Sequence, residues 1–115
     1  MWATMFGEVL RVLEDGPDDS PGITRHVVAS STTDNAAKLL LDNKVQLVDA
    51  TLGEPPTLPP DTCILCSAQM LCEVMEAWCS WRPGRQPSTH DAAEALMWYL
   101  AHDAFMPVEA DTRTQ

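Results

Sequence analysis

The chain has 115 residues, 45% of them hydrophobic, with 17 acidic and 7 basic side chains for a net charge of −10. That length suits one domain able to bury a core without disulfides or metal, and the hydrophobic share is too high for a disordered chain. The charge excludes nucleic acid and anionic membrane as favoured direct partners; it suits solubility or a basic protein surface.

Met1-Trp2-Ala3-Thr4-Met5-Phe6-Gly7-Glu8 has neither the basic start nor the continuous apolar core of a secretory signal. No apolar run approaches the ~20 residues that span a bilayer. A cytoplasmic protein with its 4 cysteines reduced is the expectation.

Trp2, Met5, Phe6, Val9, Leu10 and Leu13 recur at helical spacing, with Thr4, Glu8 and Arg11 on the far side. They predict an amphipathic helix over about 2–14, stopped by Asp15-Gly16-Pro17. Gly16 to Gly22 is an acidic loop of turn-forming residues. Ile23 to Ser30 reads as a strand. Ser31-Thr32-Thr33 then caps a short helix over about 33–43, and Lys44 to Thr51 reads as a second strand. Strand, helix and strand within about thirty residues predict a βαβ unit, hence a parallel pair. Gly53 to Pro60 carries four prolines and is loop. Thr62 to Cys66 reads as a third strand, with the first turn of the next helix as the alternative.

The helix over about 67–82 has an unusual surface. Its polar residues Gln69, Glu73, Glu76 and Ser80 fall within an arc of about 60°. The rest is apolar or small, which places such a helix at the centre of its domain or in an interface. Ser88-Thr89-His90-Asp91 opens a last helix, over about 90–105, as a capping box. Its expected core stripe is Ala92, Ala93, Leu96, Met97, Leu100 and Ala104. Asp91, Glu94, His102, Trp98 and Phe105 fall on the opposite arc. The elements together predict an α/β or α+β fold: a small, partly parallel sheet of two or three strands packed by about four helices. The domain is expected over 1–106, with a polar tail over 107–115.

Cys63-Ile64-Leu65-Cys66 has the spacing of zinc and thiol-redox sites, with Cys72 and Cys79 following. Only one close pair exists, however, and Ile and Leu between its cysteines are not turn formers. On a regular strand, residues three apart point to opposite faces and cannot chelate. No cation lies nearby in sequence to lower a thiol pKa. The expectation is four small buried hydrophobes and no bound metal. Val45-Gln46-Leu47-Val48-Asp49 resembles the phosphoacceptor strand of receiver domains. Ala29-Ser30-Ser31 stands where that family carries an acidic pair, and no lysine follows a late strand. That departure removes the metal site and the phosphate partner, leaving Asp49 as a strand-end carboxylate. His26, His90 and His102 are dispersed, and no nucleophile elbow or phosphate loop accompanies them.

The sequence thus points to a non-enzymatic protein without a cofactor, acting as inhibitor or adaptor on a basic protein partner. One form is a nucleic-acid mimic of the kind mobile elements use against host defence nucleases, its carboxylates competing for Lys and Arg. The candidate contact residues are Asp15, Asp18, Asp19, Glu73, Glu76 and Glu94, with Trp98 and Phe105 as aromatic anchors. Two alternatives remain. One is a metal or redox regulator built on Cys63, Cys66, Cys72 and Cys79. The other is a dimeric accessory subunit joined through helix 67–81.

Overall fold

A computed structural model describes residues 5–15, 22–41 and 44–108. Three strands, β1 (Ile23–Ser30), β2 (Gln46–Thr51) and β3 (Thr62–Ser67), form one sheet in the order β2-β1-β3. Among the described residues, four helices pack with it: α1 (Met5–Val12), extended by a 3₁₀ turn at Leu13–Asp15, α2 (Ala36–Leu41), α3 (Ala68–Trp81) and α4 (Thr89–His102). The fold is α+β. None of the described helices is long and apolar enough to cross a membrane.

The expected parallel pair is not formed: β1 runs antiparallel to both of its neighbours. The reason lies in α2. It has six residues, about 9 Å of helix, against about 26 Å for a strand the length of β1. It packs on α4 and α1 rather than along the sheet. The chain is therefore never carried back to the start of β1. It re-enters beside the far end, with Gln46 opposite Val28, and returns to Thr51 opposite Ile23.

The helix ends have local causes. Asn35, not the Ser31–Thr33 segment, caps α2, its Oδ1 accepting from the Lys38 backbone N–H at 2.9 Å. Ser67 caps α3 by accepting from the Met70 N–H. At α4 the expected capping box is complete: Asp91 N–H donates to Ser88 Oγ at 3.1 Å, and Ser88 N–H donates to Asp91 Oδ2 at 2.9 Å. This bond pair draws Asp91 into the protein, where it is 1% exposed, instead of leaving it on an outer arc. Helix α4 stops at His102 rather than 105 because Asp103 turns left-handed, at φ 52 and ψ 37. Residues 2–4 of the predicted first helix, 42–43 of the predicted second and the tail from 109 lie outside the described residues.

The main core gathers Phe6, Val9, Leu10 and Leu13 of the first helix, Val27 and Ala29 of β1, Leu39, Val45, Cys66 and Leu71, and Ala92, Ala93 and Leu96 of α4. A second cluster holds Val74, Trp78, Ala95 and Met106, with Trp98, Tyr99 and Phe105 packed on it. The α4 stripe is thus rotated from expectation. Ala95 is buried, while Leu100 is 38% exposed and Ala104 is exposed.

Candidate functional site

Helix α3 buries Ala68, Leu71, Val74 and Trp78, a stripe about one helix face wide. Its expected polar residues, Gln69, Glu73, Glu76 and Ser80, are all exposed. Between these two faces lies an apolar flank, Cys72, Met75 and Cys79, that no sheet or helix covers completely. Met75 and Cys72 are half-buried and Cys79 is exposed. This flank faces Leu10 and Leu13, and an open cleft of about 440 Å³ runs between them. Leu10, Leu13 and Leu71 are its buried apolar residues, Cys72 and Met75 line it, and Gln86 and Pro87 border it. Glu14 contributes a carboxylate from the 3₁₀ turn and Glu76 contributes one from α3. The lining among the described residues includes no Lys, Arg or His.

Some carboxylates are engaged within the fold, while Glu8, Glu54, Asp61 and Asp103 are exposed. Asp49 holds Arg25 across the sheet. Asp34 pairs with Lys38 at 3.1 Å, and Glu94 lies 3.5 Å from His90 Nε2. Glu94 is half-buried, which places it apart from the exposed acidic strip. Glu73 and Glu76 are exposed, and among the described residues neither takes part in an ion pair. Asp15 closes the 3₁₀ turn directly after Glu14. Asp18 and Asp19 lie outside the described residues.

Trp98 and Phe105, expected to be anchors, are half-buried and belong to the edge of the second core cluster. Trp98 stacks on His102 with ring centroids 4.0 Å apart. Phe105 meets Trp81 edge-on at 6.2 Å and Tyr99 at 5.4 Å. Trp81 is 47% exposed. Sequence reading also missed the pair of guanidinium groups at Trp78. Arg82 lies 4.8 Å and Arg85 5.3 Å from its ring centroid. The i, i+4 spacing of Trp78 and Arg82 was the available signal.

The cysteines sit differently from expectation. Cys66 pairs with Val27 but Ile64 pairs with Val28, so Leu65 is an extra residue that bulges β3. Cys63 then pairs with Ala29. Directly opposed residues share a sheet face, and so do Val27 and Ala29, which puts Cys63 and Cys66 on the same face rather than opposite ones. Burial nevertheless pushes the Cys66 thiol up to about 12, with Cys72 adding to it, which disfavours the thiolate that metal or disulfide exchange requires. Among the described residues no three His, Cys, Asp or Glu side chains converge as a metal site. Asp49 has no acidic neighbour in register; it faces Arg25.

No family model, no curated protein and no solved structure matches this chain.

Proposed function

We propose that this is a non-enzymatic acidic interaction protein that engages a basic surface of a partner protein as inhibitor or adaptor. The observation that carries this reading is that Glu73 and Glu76 stand together on one exposed face of α3, with no ion pair among the described residues. The fold ties Asp34 to Lys38 and Asp49 to Arg25, while Glu73 and Glu76 face solvent together. The sequence adds Glu14, Asp15, Asp18 and Asp19 in one short stretch and a net charge of −10. Carboxylates so arranged attract Lys and Arg at long range, accelerate encounter and discriminate against acidic surfaces. In its most specific form the surface imitates nucleic-acid phosphates and occupies the nucleic-acid site of its target.

The test is capture from host extract at low salt with the wild-type chain and with a Glu73→Gln/Glu76→Gln/Asp18→Asn/Asp19→Asn variant. The captured protein is expected to be basic, to elute with salt, and to be lost from the variant. Nucleic acid is expected to compete if mimicry operates. Retention indifferent to both salt and charge removal overturns the reading.

A further inference from the structure

We infer that the cleft between α1 with its 3₁₀ turn and α3 is the seat of a basic amphipathic helix supplied by the partner. This deepens the acidic-interaction reading and rests on it. The cleft has what such a helix needs. Leu10, Leu13 and Leu71 offer apolar surface, and the polarizable Cys72 and Met75 side chains adapt to different apolar knobs. At about 440 Å³ it is of the size class that encloses ligand groups. Glu14 and Glu76 bring carboxylates from two different elements.

The charge selects the occupant. An apolar cleft by itself accepts any apolar ridge, but a lining that, among the described residues, carries two carboxylates and no Lys, Arg or His favours Lys or Arg flanking that ridge. A second copy of this chain brings another −10. The chain's own Glu14 to Asp19 stretch is acidic as well. Both are disfavoured by like-charge repulsion, as is nucleic acid. The fitting ligand has apolar residues at i, i+3 or i+4, and i+7, with Lys or Arg on either side of that stripe.

A displayed library of helical peptides about four turns long, selected on the immobilised chain, tests this. The wild type is expected to enrich peptides with that pattern. The Glu14→Lys/Glu76→Lys variant is expected to lose the basic preference and to favour acidic flanks. A synthesised winner should protect Cys79 from alkylation and lose roughly tenfold or more in affinity as salt rises from low to physiological strength and above. Met75→Asp should abolish its binding. Cys79→Arg, at an exposed position, provides a second block if Met75→Asp does not fold. Winners that ignore both blocks and leave Cys79 reactive overturn the cleft; if they remain salt-sensitive, the acidic-surface reading survives. Binding in the cleft that is indifferent to salt overturns the charge selection itself. Failure to enrich any helical peptide, or a dimer in light scattering that Met75→Asp dissociates, also overturns the assignment.

Discussion

Arg25 and Asp49 face each other across β1 and β2 and join through a two-pronged bond, Nε donating to Oδ1 at 2.7 Å and Nη2 to Oδ2 at 3.2 Å. The Arg25 hydrogen bond, reinforced by the charges of Arg25 and His26, holds the Asp49 carboxyl below its ordinary pKa against a smaller opposing effect of burial. The Asp49 side chain is 48% exposed, so water and salt screen the pair and it contributes less than about 1 kcal/mol. Because the folded pKa is the lower one, this contribution is present above about pH 4 and is lost as pH falls through the folded value. Asp49→Asn should therefore lower stability slightly at pH 7 and by less at pH 3. Urea titrations of both proteins at the two pH values check it, and an equal deficit at both would contradict the pairing.

Arg82 ties the C-terminal end of α3 to the segment that follows α4. It is 3% exposed, and its guanidinium donates to the carbonyls of Trp78, Met106 and Pro107 at 3.2–3.3 Å while lying over the Trp78 ring. It also places a cation at the C-terminal end of α3, where the helix dipole favours one. Removing it leaves these carbonyls without that donor and opens a void beside Trp78. Arg82→Ala is expected to cost about 2–4 kcal/mol, with Arg82→Lys recovering only part because a single ammonium cannot span the three acceptors. Thermal denaturation measures the loss, and tryptophan emission should shift to the red.

What the sequence made legible follows from which interactions are local. The Ser88 box and the Ile23–Ser30 strand were readable because their signals lie within a few residues of each other. The Asn35 cap was missed because Ser31, Thr32 and Thr33 compete for the same role, and only the backbone path decides between them. Sheet direction depended on where α2 docks, a tertiary matter settled by α4 and α1. The Leu65 bulge has no signature in Cys-Ile-Leu-Cys, so alternation placed the two thiols wrongly. Glu76 was visible as part of a polar strip, but the cleft was not, since it needs Leu10 and Leu13 brought beside Met75 from a distant part of the chain.

Asp103 ends α4 in a left-handed conformation, its N–H bonded to the Tyr99 carbonyl at 2.8 Å. A side chain with a Cβ is strained there, and glycine is not. Asp103→Gly should stabilise the protein by up to about 1 kcal/mol, while Asp103→Val should destabilise it. Denaturation midpoints of the two variants should move in opposite directions, with α4 retaining its length in both if the terminus is set by this turn.

The α4 box offers a sharper comparison. Ser88→Ala removes one acceptor at a solvent-exposed residue and should cost about 1 kcal/mol. Asp91→Ala should cost more, because Asp91 is 1% exposed and its loss both frees the Ser88 N–H and leaves a hole against the core. The double variant should cost less than the sum, since the two bonds belong to one structure. Strict additivity in a double-mutant cycle would show the bonds to be independent.

Cys66 supplies a prediction at the alkaline end. Its thiol, buried in the main core, is raised to about 12, whereas an unfolded cysteine ionises near 8.5. The folded state therefore holds its proton where the unfolded state releases one. The contribution is complete below about pH 8.5 and erodes by roughly 1.4 kcal/mol per pH unit as pH rises toward the folded value. Cys66→Ala loses some packing at pH 7, but it lacks this alkaline decline, so the gap between wild type and variant should narrow and then invert between pH 9 and 11. The other titrating groups are common to both proteins and cancel in the difference. Alkylation supplies an independent check on the same burial: Cys79, the exposed cysteine, should react first, and Cys66 last. A Cys66 that labels as fast as Cys79 would place the thiol outside the core and remove the basis for the alkaline crossover.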